Sequence, residues 1–185
     1  SGSEGTVVSG WAPPPVPTPK DPEYREKLGP YADLLLRGGI VPYGSEEHIG
    51  YLASCIESAG FTVTLDPSGQ GFAVATGVQM DQYNQVRAAC GQVAIDSGLV
   101  AALAPATHEF RAAEYQARLV QYQCLIDHGF QPSEPPSEQA FLEEANWDPF
   151  SGVANAQFAA AEQACSHSII PILEQMVASR QATSP

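Results

Sequence analysis

The chain has 185 residues and carries 21 Asp and Glu against eight Lys and Arg, a net charge of −13. Nucleic acid and anionic membrane surfaces are therefore excluded as favoured partners, because both would repel it. No stretch approaches the roughly 20 apolar residues of a membrane span, so a soluble chain with one core, or two halves sharing one, is expected.

Residues 1–20 hold the run Pro13-Pro14-Pro15-Val16-Pro17-Thr18-Pro19, whose composition favours extended polyproline over a packed element. They are expected to form a disordered Pro-rich tether. Trp11 lies within it, and a Pro-rich segment with an aromatic is either a recognition motif or a spacer. Asp21-Pro22-Glu23 has the cap acceptor, first-turn proline and acidic residue of a helix start. A second short helix is expected from Pro30 through Leu34, Leu35 and Leu36, stopping at Gly38-Gly39.

Ser45-Glu46-Glu47 opens a longer helix, with Ile49, Leu52, Ile56 and Ala59 on one face. It ends in Cys55-Ile56-Glu57-Ser58-Ala59-Gly60-Phe61, a phrase that recurs as Cys124-Leu125-Ile126-Asp127-His128-Gly129-Phe130. In both, glycine suits the left-handed position after a helix, and the following aromatic packs back on the residue four before the glycine, Ile56 or Leu125. After the first phrase, Phe61–Leu65 and Phe72–Thr76 are β-type runs around the turn-forming Asp66-Pro67-Ser68-Gly69-Gln70-Gly71, which predicts a hairpin. The second phrase is followed instead by Gln131–Ser137, where three prolines forbid the same ladder.

Each half then closes with a helix of matching pattern: Tyr83, Val86, Cys90 and Val93, then Phe158, Ala161, Cys165 and Ser168. Between the halves a helix from about Thr107 to His128 is supported by Glu114 and Arg118 at i, i+4, with Phe110, Ala113, Ala117, Val120 and Cys124 as its apolar stripe. Pro171 is expected to break the last closing helix, leaving Ile172–Ser179 as a separate short one. The fold class predicted is mainly α (α+β): one compact domain over 21–185, built from two pseudo-repeats at about 45–98 and 107–170, each stapled by a disulfide, the first with a β-hairpin.

Four cysteines allow three pairings. Duplication favours closure within each copy, Cys55 with Cys90 and Cys124 with Cys165, because one ancestral unit would then have been complete. Each bridge is worth about 3 to 4 kcal/mol in the chain-entropy description. Bridges imply an oxidising compartment. An extracellular or cell-envelope location follows, with an export signal expected upstream of residue 1.

Little in the chain signals chemistry. There is no Gly-x-Ser-x-Gly elbow, phosphate loop or dinucleotide fingerprint, and no zinc-type cysteine spacing. His48, His108, His128 and His167 are scattered, so no catalytic residue, metal ligand or cofactor is assigned. His128, beside Gly129, is placed to satisfy a terminal carbonyl. The stretch with binding character is Phe141-Leu142-Glu143-Glu144-Ala145-Asn146-Trp147-Asp148-Pro149-Phe150, which mixes aromatics and acids. Its candidate binding residues are Phe141, Glu143, Glu144, Trp147, Asp148 and Phe150. The competing reading is that Trp147 and Phe150 cover the second disulfide where the hairpin is missing.

The paired Cys-x4-Gly-Phe units, each answered by an aromatic seven residues before a second cysteine, resemble those of exported proteins and lipoproteins of actinobacteria. So do Pro135-Pro136-Ser137-Glu138-Gln139-Ala140-Phe141 and Trp147-Asp148-Pro149-Phe150. The resemblance covers roughly residues 45–166. It implies an envelope location, membrane contact only through a lipidated cysteine upstream, and no activity to carry over. The function expected is a non-catalytic binding or accessory module with an envelope or extracellular protein as partner. A small secreted enzyme with dispersed site residues, or a metal or small-ligand carrier, is the alternative.

Overall fold

The fold is taken from a computed structural model, which describes residues 7–19, 23–77, 79–143 and 146–183. Its elements in order are α1 (Tyr24–Leu28), a 3₁₀ turn (Gly29–Tyr31), α2 (Ala32–Leu36), α3 (Glu46–Ser58), β1 (Thr62–Leu65), β2 (Phe72–Ala75), α4 (Met80–Asp96), α5 (His108–Asp127), α6 (Glu138–Glu143), two more 3₁₀ turns (Pro149–Gly152 and Asn155–Gln157), α7 (Phe158–Ala164) and α8 (Ile169–Ala182). Mainly helical structure with one small antiparallel hairpin agrees with the sequence reading. The chain divides into two compact units, 1–24 with 36–103, and 25–35 with 104–185. Each unit holds one of the two repeats, and each repeat closes its own core around its own disulfide.

In the first unit α3 begins at Ser45, whose Oγ accepts from His48 N at 3.4 Å, and ends at Gly60 with φ 103°. Ile56 is fully buried and Phe61 is 4% exposed, in one cluster with Tyr51, Leu52, Val86, Ala94 and Leu99. The Cys55–Cys90 bridge joins α3 to α4 inside that cluster. The hairpin pairs Thr62 with Ala75 and Leu65 with Phe72, and Val63, Val74 and Phe72 lie against the core. Residues 39–41 run beside 98–101, where Ile40 and Val41 N–H groups donate to Leu99 O at 3.0 Å. A Cβ on Gly39 would stand 2.8 Å from Ala101 N, so this approach demands glycine.

The Pro-rich segment differs from expectation. Residues 11–19 form no helix or strand, as their prolines dictate, yet 7–19 is not a detached tether. Val7, Trp11 and Val16 pack against the first unit's core, and three hydrogen bonds tie the segment to α3 and its C-terminal end. Apolar side chains spaced among the prolines supply the contact that a purely Pro/Gly/Ser linker would lack. Asp21 and Pro22 of the expected first helix start lie outside the described residues.

The second unit is organised on α5. Thr107 caps it, accepting from Phe110 N at 3.1 Å. At its other end Gly129 N donates to Ile126 O and Phe130 N to Leu125 O, both at 2.9 Å, the paired bonds of a glycine-terminated helix. Gly129 has φ 81°. Cys124–Cys165 bridges α5 to the residue after α7, beside buried Leu125, Phe150, Val153 and Ala161. The α5 stripe must be corrected. Val120 is 40% exposed, and the residues fully covered include Ala117, Gln121 and Leu125. Gln121 is polar, but its Nε2 donates to Ser166 O and His167 O at 2.8 Å each, so the amide is buried without loss.

The closing helix also differs. It breaks at Cys165 rather than Pro171, and Ser168 caps a new helix by accepting from Ile170 N at 3.2 Å. Pro171 falls in the first turn of α8, where a missing N–H costs no intrahelical bond. Farther along α8, Val177 lies against Gly29, and the Arg180 guanidinium sits 5.9 Å from the Tyr31 ring centre.

Candidate functional site

The second unit has an open pocket of about 320 Å³. One wall is α5, where Arg111, Glu114 and Arg118 recur at spacings of three and four and so share a face. Phe141, from α6, and Asn146, Trp147, Asp148 and Ser151, from the loop that follows, make the other. The loop is held by Ser133. Its Oγ donates to Asp148 O at 2.7 Å, its N–H donates to Pro149 O at 3.0 Å, and Trp147 Nε1 lies 3.1 Å from its Oγ and 3.2 Å from its carbonyl. Gly152 makes this possible, since a Cβ there would stand 2.3 Å from Ser133 N.

Beneath the rim, Trp147 is 9% exposed and packs with Tyr115 and Phe141, with ring centres 6.0 and 6.5 Å away. The Arg111 guanidinium lies 4.6 Å from the Phe141 ring centre. Its Nε donates to Phe141 O at 3.0 Å, and its Nη2 makes a further bond to the same oxygen. Arg118 is 17% exposed and spreads its bonds thinly, to Glu114 and Asp148 at 3.4 Å and to Gln121 Oε1 at 3.3 Å. Its Nε is buried without a hydrogen-bond partner among the described residues.

A charge chain runs on from Asp148. Asp148 Oδ2 is 2.9 Å from His167 Nε2, and His167 Nδ1 is 3.2 Å from Glu162 Oε1. Both ring nitrogens thus face carboxylates, which suits the imidazolium, able to donate from each. The Asp148 bond, acting against burial and aided by Glu162, holds the His167 pKa above its ordinary 6.5. Burial alone would raise the Asp148 pKa. The bonds from His167 and Phe150 N, with the charges of His167 and Arg118, outweigh it and hold the carboxyl below its ordinary 3.8.

Of the residues singled out from sequence, Phe141, Trp147 and Asp148 meet at this pocket. Phe150 does not. It is 1% exposed, packs with Cys165 and Leu125, and stacks on His167 with ring centres 4.5 Å apart. The covering role therefore belongs to Phe150, whereas Trp147 sits in a separate cluster with Tyr115 and Phe141. Glu143 is exposed, bonded by Gln139 Nε2 at 3.0 Å, and lies off the pocket. Glu144 lies outside the described residues. Arg111, Arg118 and Ser151 were given no site role by the sequence, and Asn146 lay in the binding stretch without being singled out. The signal for the first two was there: among only eight basic residues, two stand seven apart on one helix.

No family model, curated protein or solved structure matches the chain. Asp148 with His167 is the carboxylate–imidazole half of a hydrolytic triad, but Glu162 holds the second nitrogen that would have to receive a nucleophile's proton. Cys124, His128 and Cys165 group metal-type donors within 4.8 Å. Their sulfurs are bonded to each other and are not the thiolates that bind metal. His128 Nδ1 instead lies 2.9 Å from Cys124 O at the helix end, as the sequence suggested. Two disulfides are consistent with an oxidising environment, and among the described residues no helix is long and apolar enough to cross a membrane.

Proposed function

We propose that the chain is a non-catalytic binding or accessory module of the extracellular space or cell envelope, and that the pocket on the second unit receives its ligand. The observation that supports this is the pocket's lining: guanidinium, carboxylate, amide and hydroxyl groups converge beside two aromatic rings, as in sites that orient a small polar ligand. The imidazole attached to that lining has both nitrogens committed to carboxylates, which favours binding over proton transfer. Membership of the exported actinobacterial family, with a lipid anchor upstream, belongs to the same proposal.

A small secreted enzyme is the second reading, favoured by the shifted Asp148–His167 pair. It requires Glu162 to release Nδ1. The two separate in one experiment, in which the intact protein is screened by ligand-observed NMR against amino acids, short peptides and simple sugars, with each mixture followed for turnover. A saturable ligand that is recovered unchanged, and that binds at least about tenfold more weakly to Asn146→Ala, supports the module. Consumption of a bound compound, or binding indifferent to Asn146, overturns it.

A further inference from the structure

The docked Pro-rich segment has a geometry that its role as linker does not require. Trp11 Nε1 donates to Ser58 Oγ at 2.9 Å, and Tyr51 Oη donates to Pro14 O at 2.9 Å. Nearby, Val8 N donates to Ala59 O at 3.2 Å. The segment thus runs antiparallel to α3. Tyr51 and Ser58 are seven residues apart, two helical turns, a rise of about 10.5 Å on one face. Trp11 and Pro14 are three apart, one polyproline turn, a rise of about 9 Å. In polyproline geometry one turn of the segment would therefore span about two turns of α3, which lets both hydrogen bonds form on one helix face. Grooves that read proline-rich segments are lined by aromatic side chains, and Tyr51 supplies one to this face, its hydroxyl on a proline carbonyl, while the indole comes from the segment itself.

The hold is shallow. Trp11, Pro14 and Val16 are only half buried, and contacts of this kind open locally at low free energy.

We infer that the face of α3 carrying Tyr51 and Ser58 is a recognition groove for proline-rich segments with a tryptophan three positions before the contacted proline, occupied in cis by residues 11–16 and available in trans to such a segment of a partner protein. The cis segment then acts as a competitor, so a partner binds only as fast and as tightly as the groove is vacated. Ser58 is itself fixed for this task, because its Oγ donates to Cys55 O at 2.6 Å and so leaves an oxygen lone pair toward the indole.

The test uses the full chain with Trp11→Ala, which weakens the cis occupant, and a fluorescent synthetic peptide of residues 7–19. Anisotropy is expected to show saturable binding at least about fivefold tighter than to the unaltered chain. Adding Tyr51→Phe should weaken it about fivefold, the loss of one hydrogen bond, and a peptide with Ala in place of Trp11 should not bind. Equal affinity for the altered and unaltered chains, or indifference to Tyr51→Phe, overturns the proposal. If Trp11→Ala fails to fold by circular dichroism, the unaltered chain labelled with 5-fluorotryptophan replaces it. Unlabelled peptide at about 10 mM, above the effective concentration of a short tether, should then move the Trp11 resonance to its free position. A resonance that stays put overturns the proposal.

Discussion

Asp148 and His167, 19 residues apart in sequence, form a 2.9 Å contact in which each holds the other in its charged form. Linkage fixes the sign of the pH dependence. The raised His167 pKa contributes stability that is complete below 6.5 and is lost as pH rises through the folded value. The depressed Asp148 pKa contributes stability present above 3.8 and lost as pH falls through its folded value. The second unit should therefore be most stable between the two. An NMR titration of the His167 ring checks this: Asp148→Asn should lower its midpoint, and an unchanged midpoint would show that the pair does not couple.

The first unit should respond in the opposite sense. His48 is 1% exposed at the third position of α3, where its Nδ1 accepts at 2.9 Å from the N–H of Gly44, the residue just before the N-cap Ser45. Burial pushes its pKa down to about 4. A folded value below the unfolded 6.5 means stability is present above 6.5 and lost as pH falls toward 4, by on the order of 3 kcal/mol. Urea unfolding at pH 7 and pH 4.5, followed by emission in a Trp147→Phe background where Trp11 is the sole tryptophan, should show this loss. In His48→Gln, which keeps the acceptor and removes the titration, most of the loss should disappear.

Trp147→Ala separates support from contact. The indole is buried against Tyr115, Phe141 and Tyr122 and bonded to Ser133, so truncation should cost about 3 to 5 kcal/mol. Trp147→Phe should cost less, keeping a ring but losing the Nε1 donor. A thermal midpoint unmoved by Trp147→Ala would mean that the residue faces a ligand rather than the core. The same measurement on Ser133→Ala should show a smaller loss, about 1 to 3 kcal/mol, from bonds left unmade around the loop.

Much of this fold could be read along the chain because its signals are local. Gly60 and Gly129 announce helix ends, and Phe61 and Phe130 the packing partners, within a few residues of each other; the sulfur pairing spans 35 and 41 residues and is legible through the duplication instead. The pocket was half visible for the opposite reason. Trp147 and Asp148 stand out by composition, but the α5 face opposite them is chosen by tertiary packing, which rotates Val120 outward and takes Gln121 inward against two carbonyls from beyond α7. A polar side chain whose partners lie 45 residues on gives no periodic signal. Neither does an apolar residue among prolines, which is why Trp11 reads as part of a linker until its bond to Ser58 is seen.

Two glycines of the second unit should respond differently to alanine. At Gly129 a Cβ would meet nothing within 4 Å, so Gly129→Ala bears only the left-handed backbone, φ 81°, at about 1 to 2 kcal/mol. Gly152 would place its Cβ 2.3 Å from Ser133 N and 2.6 Å from Pro132 C, both backbone atoms with no side-chain freedom to yield. Gly152→Ala must then push the loop off Ser133, and Trp147, Asp148 and Ser151 move with it. Gly129→Ala should lower the thermal midpoint while leaving the His167 titration and the pocket's ligand response intact. Gly152→Ala should disturb both along with stability. If the two variants prove equivalent in the His167 titration, the loop is not seated on Ser133 as described.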